Sequence, residues 1–99
     1  MKNNELKDLV FSENWEERLI GEYIQTKIRY EHLKNLCNTL EVQEMGLIEK
    51  VLSKKCPLSL LREQQKYMGM YLGCLEKRLI IYGIRVPEMV LGGTVKDEK

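Results

Sequence analysis

The chain has 99 residues, 16 Lys and Arg against 15 Asp and Glu, and a net charge of +1. That balance argues against a protein built to grip a phosphate backbone, which carries a basic excess or a continuous basic stripe, so nucleic acid is an unlikely partner. A hydrophobic share of 43% beside 31% charged residues excludes a disordered chain and a membrane-embedded one. The length fits one helical domain over 1–99, with a core at 12–84 and flexible segments at 1–11 and 85–99.

The acids are thirteen Glu to two Asp, fifteen residues are Leu and none is Ala. This composition favours helices held by large packed side chains rather than by intrinsic propensity. Cys37, Cys56 and Cys74 are an odd number without a C-x-x-C pair, and His32 is the single histidine. Neither a zinc site nor a disulfide framework is expected; the thiols read as small buried hydrophobes in a reduced cytoplasm. Met1–Asp8 has no apolar signal segment, and the apolar window Tyr67–Ile84 is broken by Glu76, Lys77 and Arg78, which speaks against a membrane span.

In chain order, Leu6, Leu9, Val10 and Phe11 suggest a short docking turn or frayed helix. Ser12 reads as an N-cap, with Glu13, Glu16 and Glu17 suiting the positive helix end. Leu19, Tyr23, Thr26, Tyr30, Leu33, Cys37 and Leu40 then recur at alternating steps of four and three, and Trp15 extends the stripe by four. This heptad seam predicts a helix over Glu13–Leu40 packed lengthwise on another. A shorter stripe, Val42, Met45, Ile48 and Leu52, predicts a small helix over Val42–Leu52, weakened by Gly46 and either separate from the long helix or continuous with it through a bend.

Pro57 sits where a first helical residue would stand. Leu61, Met68, Leu72, Leu75, Leu79 and Tyr82 follow on a second seam, with polar Gln65 filling the skipped position. They predict a helix over Pro57–Tyr82, stopped by Gly83. Met89, Val90 and Leu91 could dock beyond it, before a frayed end. The fold expected is all-α: an antiparallel hairpin of two long helices with a short helix between them.

The seams leave a second apolar face. Ile20, Ile24 and Ile28 stack one turn apart, and Leu60, Tyr67, Cys74 and Ile81 repeat at strict sevens. The short helix over Val42–Leu52 with residues 6–11 and 84–91 could cover this face; otherwise it predicts a helical-bundle homo-oligomer or a foreign protein partner. Enzyme motifs are absent, so no catalytic residue and no cofactor is expected. Two polar sets have ligand potential. Lys50, Lys54, Lys55, Arg62 and Lys66 gather with Tyr67 near the Pro57 helix start, and Trp15 and Arg18 would approach Arg78, Tyr82 and Arg85 at the opposite end. Guanidinium groups beside aromatic faces suit a purine base or a phosphate.

Three strings, Trp15-x-x-Arg18-Leu19-x-x-Glu22-Tyr23-x-x-Thr26-Lys27-Ile28, Leu60-Leu61-x-x-Gln64-x-x-x-Met68-x-x-Tyr71-Leu72-x-x-Leu75-Glu76-x-Arg78 and Gly83-Ile84, resemble a group of small helical proteins from tailed bacteriophages and prophages. The likeness covers about Glu13 to Ile84. It implies a phage source, action in the host cytoplasm, and a binding role in counter-defence, as an inhibitor of a host protein or a sponge for a cyclic or other nucleotide signal. The pattern of known helical-hairpin nucleotide sponges is not found in this chain. The other expectation is a structural or adaptor module of a phage with no small-molecule ligand.

Overall fold

A computed structural model describes residues 3–50, 52 and 55–86. Three helices follow one another: α1 (Asn3–Val10), α2 (Trp15–Glu44) and α3 (Leu58–Tyr82). None of them is long and apolar enough to cross a membrane.

The start of α2 is fixed by Asn14, not Ser12. Asn14 has an extended backbone, and its side-chain oxygen accepts from the N–H of Glu16 at 2.8 Å and of Glu17 at 3.4 Å. Ser12 instead supports this cap from outside, accepting from the Asn14 N–H at 3.0 Å and donating to the Glu17 carboxylate at 2.5 Å. Either residue type can satisfy orphan N–H groups at a helix start; backbone placement selects Asn14.

At its other end α2 runs four residues past Leu40. Gly46 stops it with φ +80°, while its N–H donates to Gln43 O and the Leu47 N–H donates to Val42 O. These two bonds form a Schellman stop, in which a glycine tolerates the left-handed backbone and two orphan carbonyls are satisfied. The expected helix over Val42–Leu52 therefore does not form among the described residues. Val42 belongs to α2, and Gly46 is a terminator rather than a weak spot within a helix. The connection is held back onto α2 by Gln43, whose amide donates to Leu52 O and accepts from Leu52 N–H, both at 3.0 Å.

Pro57 precedes α3 as its N-cap, one position earlier than its sequence placement suggests, with its carbonyl accepting from Leu60 and Leu61 N–H. Gly83 ends α3 at φ +69°, and Ile84 N–H closes onto Leu79 O at 2.9 Å. This is the stop expected from the sequence.

Contacts along the hairpin define its direction. Trp15 meets Tyr82, Tyr23 reaches Glu76, Glu22 meets Tyr71, and Asn38 and Glu41 meet Arg62. Rising positions on α2 meet falling positions on α3, so the long helices are antiparallel.

Leu19, Tyr23, Thr26, Cys37 and Leu40 of the first seam and Leu72, Leu75 and Leu79 of the second are buried as predicted, while Trp15 and Tyr82 at the seam ends are exposed. Leu19, Tyr23, Ile24, Leu72, Leu75 and Leu79 form the buried cluster, while Cys37 and Leu40 are buried farther along α2. Gln65 is tolerated on the seam because its side-chain oxygen accepts from Arg62 Nη1 at 2.8 Å.

The second apolar face is divided. Ile24 is 0% exposed and belongs to the core, not to an outer interface. Ile20 is partly buried against the same cluster, joined there by Leu6 and Leu9 of α1 and by Ile84 and Val86 after α3. Leu6, Leu9, Ile84 and Val86 thus supply the described part of the cover expected of the flanking segments. The docking expected of Met89, Val90 and Leu91 falls outside the described residues. Ile28 is half-exposed, and Leu60, Tyr67, Cys74 and Ile81 remain exposed.

Contact between α1 and α2 is close at Gly21. A Cβ there would lie 2.9 Å from the Val10 backbone nitrogen and 3.1 Å from the Leu9 carbonyl carbon. At this buried point glycine is required by the approach of a neighbouring backbone.

Candidate functional site

The mouth of the hairpin, where α2 begins and α3 ends, gathers the second polar set. Trp15 meets the Tyr82 ring edge to face, with centroids 4.9 Å apart and planes at 79°, a favoured aromatic geometry. The Arg78 guanidinium lies 5.7 Å from the Tyr82 ring centroid, within cation–π range. Arg18 is anchored by one nitrogen, which donates to Ser12 O at 2.9 Å. This bond orients the guanidinium and leaves its other nitrogens for further donation.

Between these groups lies a cavity of about 340 Å³, lined by Trp15, Arg18, Glu22, Tyr71 and Arg78, with Leu75 among its apolar residues. This is within the size range of small-molecule sites, which combine apolar walls with a few placed polar groups. Two cations against one carboxylate leave its charged groups net positive. Tyr82 and Arg85 are exposed and do not line this cavity.

Glu22 and Tyr71 complete the wall, although the sequence reading had not placed them in a ligand set. The Tyr71 hydroxyl donates to Glu22 Oε2 at 2.9 Å, and Thr26 donates to the same oxygen at 3.4 Å. Both residues lie in the strings quoted above; their signal was position, since Glu22 falls one turn after Arg18 and Tyr71 two turns before Arg78.

The hydrogen bond to Glu22 holds the Tyr71 phenol above its ordinary pKa. Tyr23 is also raised, first by burial and then by the nearby Glu76 carboxylate, which accepts from its hydroxyl at 3.5 Å. Both shifts favour the neutral phenol in the fold. Their stabilisation is present below the unfolded tyrosine pKa of about 10 and is lost as pH rises through the higher folded values. Melting temperature should therefore fall as pH climbs above about 10. In the double variant Tyr23→Phe, Tyr71→Phe the alkaline fall should be shallower, with Tm followed by circular dichroism.

The first polar set is brought together only in part: Arg62 and Lys66 border a smaller cavity of about 290 Å³ with Tyr30 and Gln65. Arg62 is paired with Glu41 and donates to Asn38 Oδ1 at 3.1 Å and to Gln65. Its guanidinium therefore ties the far ends of the two helices together. Lys66 sits 5.7 Å from the Tyr67 ring centroid, on an exposed surface. Lys50 and Lys55 are exposed, and Lys54 falls outside the described residues. Arg62→Ala should cost stability, roughly 1 kcal/mol for a partly exposed network read by urea denaturation.

Only Cys37 of the three thiols is buried. Cys56 and Cys74 are exposed, contrary to the expectation of three buried thiols. Among the described residues no group of three or more His, Cys, Asp or Glu side chains could hold a metal ion.

Fold and cavity define an all-helical hairpin with a cationic, aromatic cleft at its mouth. The chain belongs to the Sequestin family, whose family model matches residues 13–81. That span takes in nearly all of α2 and α3 and therefore most of the cleft. Neither a curated protein nor a solved structure matches the chain.

Proposed function

We propose that this protein is a non-enzymatic sequestering protein that holds a small anionic signal, of cyclic or other nucleotide type, in the hairpin-mouth cleft. The observation that carries this reading is the presence of Arg18 and Arg78 in one cleft with the rings of Trp15 and Tyr71, with Tyr82 packed behind against Trp15 and Arg78. Guanidinium groups can donate in pairs to phosphate oxygens, and a purine can stack on an aromatic ring. Glu22 adds an acceptor for a sugar hydroxyl or an exocyclic amine. The family's name points the same way. A phage origin, counter-defence in the host cytoplasm and a homo-oligomeric state complete the proposal.

Calorimetric titration with a panel of linear and cyclic nucleotides tests the cleft. Arg18→Ala and Arg78→Ala should each weaken binding by about tenfold to a hundredfold, the loss of a charge-assisted hydrogen bond. Lys55→Ala should leave it unchanged. Parent-like binding by both arginine variants would place any ligand elsewhere. A second reading, inhibition of a host protein or assembly without a ligand, is favoured by the exposed apolar face of α3. It predicts that no nucleotide binds and that both arginine variants keep full function.

A further inference from the structure

Among the described residues, the outer face of α3 carries a run of exposed apolar side chains. At 100° per residue, Leu60, Tyr67, Cys74 and Ile81 fall within an arc of about 60°, flanked by Met70 and Tyr71. Leu60 is 52% exposed, Tyr67 56%, Met70 60% and Ile81 75%. Such a strip costs solubility unless covered, and the described flanking apolar residues Leu6, Leu9, Ile84 and Val86 pack against the core cluster instead.

We propose that this face pairs with the same face of a second copy, antiparallel about a two-fold axis midway between Met70 and Tyr71. This deepens the homo-oligomeric part of the function proposed above; Tyr71 borders both the interface and the cleft, and the dimer is tested without ligand.

Three features of the strip bear on that arrangement: the first permits it, and the second and third favour it over a parallel one. Leu60 and Ile81, and likewise Tyr67 and Cys74, lie at equal distances on either side of the midpoint. An antiparallel copy therefore sets apolar residue against apolar residue along the whole helix.

Charge supplies the second reason. On one edge of the strip Glu63 precedes the midpoint and Lys77 follows it, each exposed, with no charged residue from Tyr67 to Leu75. Antiparallel pairing about that axis places Glu63 of each copy beside the partner's Lys77, twice per dimer. Parallel pairing would oppose Glu63 to Glu63 and Lys77 to Lys77, which disfavours it.

Relief along the strip is the third. Near its start, Leu60, Gln64, Tyr67 and Tyr71 border an apolar groove of about 530 Å³. Near its end, Ile81 projects into solvent. Antiparallel pairing brings the partner's Ile81 to the groove, whereas parallel pairing sets groove on groove. Because the two faces are identical, the interface closes as a dimer and does not propagate.

Cross-linking of the full chain in a Cys56→Ser background tests orientation and register together. Tyr67→Cys should form a disulfide-linked dimer under mild oxidation through the partner's Cys74, and Cys74→Ser should abolish it. With Tyr67 intact, no linked dimer should form: the two Cys74 residues stand about 10 Å apart along the helix axis, beyond disulfide reach. Sedimentation without nucleotide should show a dimer. Glu63→Lys should raise its dissociation constant about tenfold, and added Lys77→Glu should restore it. A monomer throughout the micromolar range would overturn the proposal and leave the strip to a foreign protein. A Cys74-to-Cys74 link would overturn the antiparallel orientation, and indifference to Glu63→Lys would overturn the register. Since dimerisation is read without nucleotide, its failure leaves the cleft assignment standing, and failure of nucleotide binding leaves the dimer standing.

Discussion

Ile24→Glu should abolish the folded protein rather than merely separate its subunits. Ile24 is fully buried among Leu19, Tyr23, Leu72, Leu75 and Leu79. Truncating such a side chain to Ala costs about 2–5 kcal/mol. Forcing a carboxylate into the same place adds the cost of burying an unpaired charge. Together these approach the whole stability of a small domain, about 5–15 kcal/mol. Circular dichroism should show loss of helix, whereas Ile24→Val should remain folded and lose only about 0.5–1.5 kcal/mol. A helical, monomeric Ile24→Glu protein would mean that Ile24 lies on a surface after all.

Gly21→Val should displace α1, because its added atoms would meet the backbone at Leu9 and Val10, not a side chain that can swing away. With α1 displaced, Leu6 and Leu9 leave the core cluster and uncover Ile20. Each is half-buried, so the expected loss is roughly 2–3 kcal/mol in urea denaturation. A control background separates this effect from helix propensity. In a Leu6→Asp, Leu9→Asp protein α1 is already detached, so Gly21→Val should cost nothing further and gain a few tenths of a kcal/mol. Equal cost in both backgrounds would show that the close approach at Gly21 contributes nothing.

The long helices were legible because their seams are long. Three or more heptads of Leu19–Leu40 type leave no competing period, and Gly83 beside Tyr82 announces its own stop. Local chemistry was less decisive at the ends. Ser12 and Asn14 are both competent caps, and only the extended backbone at Asn14 decides between them. Gly46 could weaken a helix or end one; its positive φ, set by the two closing bonds, makes it an ending.

The second apolar face was misdivided for a related reason. Periodicity assigns Ile20, Ile24 and Ile28 to one stripe, but not the neighbour that will cover it. An eight-residue segment with Leu6 and Leu9 does so, and Gly21 admits its backbone. Within the candidate site, Trp15, Arg18, Arg78 and Tyr82 were legible from antiparallel pairing alone. Arg62 looked equally available, yet its charge is engaged by Glu41 across the hairpin, a contact that appears only once the register is known. Glu22 and Tyr71 were hidden by their ordinary surroundings, a Glu among thirteen and a Tyr beside an apolar stripe.

Native mass spectrometry tests sequestration most directly, using protein purified from cells that produce nucleotide immune signals, before and after denaturation. The account predicts an added small-molecule mass on the native protein, released by denaturation and absorbing as a nucleotide base does. Arg18→Ala and Arg78→Ala proteins should lack it. A native protein at its bare polypeptide mass, together with no affinity for any nucleotide added back, would contradict the account.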